Sequence, residues 1–234
     1  MTNIHAIILA RGNSKEIKNK NLTKVNSKPL IYWSIKAALE SNVFDKVVVS
    51  TDDEEIAAIS KSFGAEVPFL RLKTADDFSS SSDATFEALF QAEEFWQNQF
   101  INVCQMMANC PLKSSEDIKN SFNAYKNSNA DAQISCFKYG WMNPWWAFKL
   151  DKQMKAERLF PEAIKQRSQD LPQLYCPTGA LWFIKRHIFL KTKNFYTLNT
   201  RFEPLAWSSS VDIDDQNDFE MAEVISQMQH KKNY

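Results

Sequence analysis

Short, mainly apolar runs alternate along this chain with stretches of helical period. Residues 4–10, 46–51, 101–107 and 132–137 are such runs, each ending in a polar segment. Runs of this length and boundary predict strands buried on both faces. Residues 29–40 (PLIYWSIKAALE), 54–63 (EEIAAISKSF) and 84–96 (ATFEALFQAEEFW) carry apolar positions at helical spacing. Pro29 suits a helix start and Gly64 a C-terminal cap, while Asp52 or Asp53 suits an N-cap. Ser114-Ser115-Glu116-Asp117 predicts the start of another helix. Residues 67–71 read as a short strand. Residues 205–214 read as a last strand, followed by a helix begun at Asp215 or Asp218. Strand and helix in alternation predict one α/β domain over residues 1–234, built on a mainly parallel sheet.

The first run empties into a cationic loop. Arg11, Lys15, Lys18 and Lys20 follow the strand within ten residues, with Gly12, Asn13, Ser14, Asn19 and Asn21 between them. A buried strand leading into such a loop is a way to hold an anion at the C-terminal edge of a parallel sheet. A solvated basic loop carries the same pattern. Neither G-x-x-x-x-G-K-[ST] nor G-x-G-x-x-G occurs here, so a P-loop or dinucleotide site is not supported.

Composition narrows the classes. Lys plus Arg and Asp plus Glu are equal at 28 each, so no global field draws nucleic acid or a membrane surface, and any anion site is local. Cys104, Cys110, Cys136 and Cys176 form no C-x-x-C pair. His5, His187 and His230 have no nucleophile or metal spacing around them. With no secretory or membrane-spanning run, a cytoplasmic protein with reduced cysteines is expected.

A-R-G-N-S-K-x-I-x-x-K-N-L, residues 10–22, resembles the signature loop of the CMP-sialic acid synthetases, the acylneuraminate cytidylyltransferase family, which includes pseudaminate and legionaminate enzymes. Asn13 stands where the family usually has Gly, and Glu16 where Gly or Arg is common. The resemblance extends over nearly the whole chain. It implies a nucleotidyltransferase-like, Rossmann-like domain and a reaction of CTP with a nine-carbon keto-sugar acid. Ala10, Arg11, Gly12, Asn13, Ser14, Lys15, Lys20 and Asn21 then form the nucleotide loop, with Arg11 and Lys20 catalytic. Arg71 and Ser82, the latter in the serine-rich segment 76–83, join the nucleotide set.

The middle of the chain carries the sugar side of the resemblance. Family glutamine aligns with Met107, while Gln105 lies two residues earlier on the same side of the strand. Arg167 is a candidate for the sugar carboxylate, since a guanidinium matches it in a fork. A surface pair with Asp170 is the alternative. Gln169, Thr178 and Gly179 complete the expected sugar contacts, with Thr178 in place of a common Asn. Trp141, Trp145 and Trp146 suit core, a subunit contact or a sugar-stacking wall. By resemblance, residues 139–170 form a small projection that makes a homodimer.

Ser210-Val211-Asp212-Ile213-Asp214 closes the pattern. Residues two apart on a strand point the same way, so Asp212 and Asp214 project together while Val211 and Ile213 pack inward. Two carboxylates with room for phosphate oxygens suit Mg²⁺, and the family reads almost letter for letter here. Acidic strand ends are also ordinary helix caps. No clear general base is visible; Asp212, or a metal-bound water beside it, is the candidate. An eight-carbon keto-sugar acid, a sugar phosphate, or a catalytically silent subunit of the same fold are the competing readings.

Overall fold

Strand β1 (Ile4–Leu9) is buried along its whole length because its alternate residues serve two cores. Ile4, Ala6 and Ile8 enter one apolar cluster, and Ile7 and Leu9 enter another on the opposite face. The structure is a computed structural model describing residues 3–14, 16–74 and 79–232. After β1 come the hairpin β2 (Lys24–Val25) and β3 (Lys28–Pro29), then α1 (Leu30–Ser41), β4 (Lys46–Ser50), α2 (Glu54–Ser62) and α3 (Ser81–Trp96). These are followed by β5 (Asn102–Met107), α4 (Ser115–Lys126) and β6 (Ala132–Lys138). The hairpin β7 (Phe148–Leu150) and β8 (Ala156–Arg158), β9 (Tyr175–Lys185), α5 (Arg186–Thr192), β10 (Thr200–Leu205) and α6 (Gln216–Lys232) complete the order.

Six strands form one sheet in the order β10-β6-β9-β5-β1-β4. β1 runs parallel to β4 and β5, β10 runs parallel to β6, and β9 is antiparallel to both neighbours. The sheet is therefore mainly parallel, as predicted, and the C-terminal ends of β1, β4, β5 and β6 share one edge with the start of β9. Helices α1, α2 and α4 cover one face through Ile31, Ile35, Ile56, Ile118 and Phe122. Helices α3 and α5 cover the other through Ala88, Leu89 and Phe189. A smaller cluster of Val25, Leu30, Leu112, Val211, Ile213 and Phe219 ties α6 to the end of the sheet.

The helix signals hold. Asp53 caps α2, accepting a hydrogen bond from the Ile56 amide at 2.9 Å, and Gly64 follows α2 at φ 91°, where glycine is favoured. Ser80 with Asp83 and Ser114 with Asp117 make capping boxes on α3 and α4.

Two strand expectations fail. Between residues 65 and 71 only Glu66 bridges to β4, at Val48; Pro68 has no N–H to extend the ladder. Residues 206–214 are not a strand either. β10 ends at Leu205, a 3-10 turn covers Trp207–Ser210, and the Ile213 amide bonds to the loop carbonyl of Asn109 at 2.9 Å rather than to a ladder. The alternation survives without the ladder: Val211 and Ile213 are buried, while Asp212 is half-buried and Asp214 exposed. β9 is a strand that no periodicity announces, since Pro177 and Gly179 interrupt it. Pro177 lies opposite Cys136, beside a register shift between Ile134 and Cys136, where a missing donor is tolerated.

Candidate active site

The loop after β1 is held from below by carboxylates and from the side by its own amide. The Gly12 N–H donates to Asp52 Oδ1 at 2.8 Å. A Cβ at Gly12 would stand 2.8 Å from Asp53 Oδ2, so no side chain fits. Ala10 is buried, its amide bonded to the Ser50 carbonyl at 3.1 Å. Asn21, buried, donates through Nδ2 to the Arg11 carbonyl at 2.8 Å, so it shapes the loop. Lys20 reaches across the sheet edge: Nζ donates to the Ile213 carbonyl at 2.7 Å and to Asp214 Oδ1 at 3.2 Å. The two most specific sequence signals, residues 10–22 and 210–223, therefore meet.

These contacts border a cleft of about 300 Å³ lined by Arg11, Lys20, Asn21, Arg71, Thr74, Ser79, Ser80, Ser81, Met107, Asn109 and Asp214. Arg71 is buried and its Nε has no hydrogen-bond partner among the described residues. Glu87 holds the neighbouring backbone, accepting from the Thr74 amide at 3.1 Å and its hydroxyl at 2.6 Å. A narrow cleft with three cations and a row of hydroxyls is built for a polyanion. Asn13 is exposed and Ser14 half-buried, and neither lines it. Lys15 and residues 76–78 lie outside the described residues. Ser82 is corrected to its neighbours: it is buried inside the first turn of α3, and Ser79, Ser80 and Ser81 face the cleft instead.

Gln105 is also corrected. It is 1% exposed, accepts from the Thr85 hydroxyl at 2.7 Å and donates to Ser81 Oγ at 3.3 Å. It steadies the serine turn from beneath and does not reach either cleft; Met107 takes the surface position. Arg167 pairs with Asp170, through Nε at 2.7 Å and Nη2 at 3.2 Å. Both Arg167 and Gln169 are exposed on the projection and line neither cleft, so the surface-pair alternative is the one realised.

A second pocket, about 540 Å³, lies beside the first. It is lined by Lys138, Tyr139, Trp141, Met142, Thr178, Trp207, Asp212, Asp218 and Met221, among others. Thr178 is buried, with its hydroxyl spent on the Ser210 carbonyl at 3.1 Å. Gly179 is the thin point between the two spaces. A Cβ there would be 2.7 Å from Met107 Cγ, which lines the cationic cleft, and 3.5 Å from Asp212 Oδ2, which lines the pocket.

Asp212 is the electrostatic centre. Burial, with Asp214 beside it, lifts its carboxyl to about 6 against the opposing pull of Lys20 and Lys113. Its Oδ1 is buried without a hydrogen-bond partner. Lys113, 3% exposed, lies beneath, donating to Ser34 Oγ at 2.8 Å, the Met107 carbonyl at 3.2 Å and the Cys110 carbonyl at 2.6 Å. Asn109 Nδ2 donates to the Ile213 carbonyl at 3.2 Å and to Asp214 at 3.4 Å. Sequence reading missed Asp52, Asn109 and Lys113. Asn109 and Lys113 sit in the turn after an apolar strand at a parallel-sheet edge, the one signal that could have found them.

Residues 5–233 match the cytidylyltransferase family. The chain belongs to that family. Its members are nucleotidyltransferases, so the protein is an enzyme of that kind. It is 32% identical over 232 residues to pseudaminic acid cytidylyltransferase of Campylobacter jejuni, covering 97% of this chain and 98% of that one. It is 31% identical over 215 residues to N-acylneuraminate cytidylyltransferase of Streptococcus agalactiae, covering 91% of this chain and 51% of that one. The fold matches a CTP-complexed CMP:2-keto-3-deoxy-manno-octonic acid synthetase with TM-score 0.71 at 14% identity, covering 97% and 99% of the two chains.

Proposed function

We propose that this cytidylyltransferase joins CTP to a nonulosonic acid of the pseudaminic, legionaminic or sialic type, giving the CMP-sugar and pyrophosphate. The observation that carries the reading is the pair Asp212 and Asp214, one lining an aromatic pocket and the other a cationic cleft, with Gly179 and Met107 between. The cleft receives the triphosphate, with Arg11, Lys20 and Arg71 as counter-charges. The pocket receives the sugar acid. The names of the relatives support the same pairing of substrates.

In the reaction the anomeric hydroxyl oxygen bonds to the α-phosphorus and the bond from that phosphorus to the bridging oxygen breaks. Asp212, whose carboxyl burial lifts to about 6 before any cation is bound, takes the hydroxyl proton. Arg11 and Lys20 hold the charge that gathers on the departing pyrophosphate. Asp212 and Asp214 would hold Mg²⁺. The unpartnered Asp212 Oδ1 and an exposed second carboxylate fit an ion that takes few protein ligands and shares substrate phosphates. When bound, the ion supplies charge neutralisation on the phosphoryl oxygens.

The projection supports a homodimer. Phe148, Leu150, Met154, Leu159 and Ile164 are all exposed on it, a density of apolar surface that marks an interface. All four cysteines are free, which suits the reducing cytoplasm. Among the described residues no helix is long and apolar enough to cross a membrane.

The test is pyrophosphate release from CTP and Mg²⁺ with pseudaminic, legionaminic and sialic acids offered separately. Release with one of them is expected, and Asp212→Asn should lower the rate on the order of 10²-fold or more. Folded protein that binds CTP and releases nothing with any acid would move the weight to a silent subunit or another acceptor.

A further inference from the structure

In a 2-keto sugar acid the carboxylate and the attacking hydroxyl sit on the same carbon. Whatever cation holds that carboxylate must therefore lie beside the residue that meets the hydroxyl. Arg167 does not: it is forked onto Asp170 and borders neither cleft. Lys20 and Lys113, the cations that act on the Asp212 carboxyl, are already bonded to the Ile213 carbonyl and to Ser34 Oγ. Lys138, the exposed last residue of β6, lines the same pocket as Asp212. It is the one cation among the described residues lining that pocket, and its side chain has no hydrogen-bond or ion-pair partner among the described residues. Asp212 and Asp218 share the pocket with Lys138, so its one ammonium is the group there that can attract a single negative charge, whereas the neighbouring cleft with three cations suits a polyphosphate.

The walls add a second constraint. Trp141 is 86% exposed and Trp207 45% exposed, and both line the pocket with Met142 and Met221. Such surface offers few hydrogen-bond partners and gains when apolar carbon covers it. A fully hydroxylated chain would lose water contacts against it without replacement. A chain bearing acylamino methyls and deoxy carbons would not. The volume is in the range of small-molecule sites.

We propose that Lys138, at the end of β6, holds the acceptor's carboxylate, and that Trp141 and Trp207 select an acceptor whose chain carries acylamino and deoxy carbons over a polyhydroxylated one. This rests on the cytidyl-transfer reading above and names the acceptor side of that site.

The test measures KM for the acid and for CTP separately, using pseudaminic acid (diacylamino, deoxy) and N-acetylneuraminic acid (monoacylamino, polyhydroxylated) as probes. Lys138→Met should raise the acid's KM tenfold or more while the CTP KM stays within twofold, and Lys138→Arg should recover most of the loss. Trp207→Ala should raise KM for pseudaminic acid more than for N-acetylneuraminic acid. The wild type should prefer the former. CTP-dependent thermal stabilisation in each variant separates a folding defect from a site defect.

Turnover by the wild type with an unchanged acid KM in Lys138→Met overturns this inference and leaves cytidyl transfer standing. A raised acid KM in Arg167→Met with none in Lys138→Met overturns it in favour of the arginine. A fall in sedimentation coefficient in Trp141→Ala and Trp207→Ala without a change in acid KM shows that a second copy covers the pocket, and overturns the selectivity. No turnover by the wild type with pseudaminic, legionaminic or N-acetylneuraminic acid removes both readings together.

Discussion

Gly179 lies between Met107 of the cationic cleft and Asp212 of the aromatic pocket. Its missing side chain leaves a gap that Met107 and Asp212 close from either side, and an added Cβ would stand 2.7 Å from Met107 Cγ. Met107 Cβ, fixed by the backbone, would also stand 3.2 Å away, so the side chain must shift to make room. Gly179→Ala should lower kcat on the order of tenfold or more, with thermal stability changed by little more than a core overpacking of about 1–3 kcal/mol. A melting curve and steady-state kinetics on the same sample check this. Asp212 supplies a pH prediction. Its carboxyl is raised to about 6 by burial and by Asp214, so it is neutral below that pH and ionised above. A cation on Asp212 favours its ionised form, so the acidic limb of kcat/KM, which reports the free enzyme, should move from near 6 to lower pH as Mg²⁺ is raised. In Asp212→Asn the residual rate should lose that limb.

Strand β1 carries the loop of the site and also a buried titratable group. His5 is 3% exposed, stacks on Phe100 with centroids 3.4 Å apart, and neither ring nitrogen has a hydrogen-bond partner. Burial pushes its imidazole down to about 4, with Asp45 opposing and Lys46 assisting. The unfolded chain takes up this proton near pH 6.5 and the folded chain only near 4. Stability from this group is therefore complete above 6.5, declines as pH falls through that window, and levels off below 4. The loss amounts to about 3 kcal/mol at about 1.4 kcal/mol per unit. Urea unfolding of wild type and His5→Phe between pH 7 and 4.5 should show a shallower decline in the variant, whose ring keeps the stacking without the charge. In the same way α3 was legible as an element, through its apolar period. Which serine faced the cleft was not, because the helix starts at Ser81 and turns Ser82 inward.

At the level of the assembled protein, the projection 139–170 behaves unlike the sheet. Trp145 packs edge-on against Phe160 with centroids 5.0 Å apart, and its indole donates to the Pro172 carbonyl at 2.8 Å, but most neighbouring apolar side chains face outward. A second copy is the occupant that the dimer reading calls for. Ile164→Lys together with Leu159→Lys should shift the protein toward monomer by sedimentation, since a buried unpaired charge at an interface costs several kcal/mol. An unchanged sedimentation coefficient would remove the projection from the contact.

The alternating apolar runs, the caps and the glycine after α2 were readable in the chain because their causes are local: each depends on residues within a turn or two. The loop at 10–22 and the Asp212–Asp214 pair were readable as chemistry for the same reason. Their meeting was not. Lys20 and Asp214 are 194 positions apart, and what joins them is the order of strands in the sheet, which no short pattern encodes. The partners of Gln105 and Arg167 were hidden on the same ground. Whether a polar side chain faces a ligand, a serine turn or an aspartate beside it is settled by what packs around it. That depends on β9 inserting between β5 and β6, a strand whose own proline and glycine hid it from the periodicity.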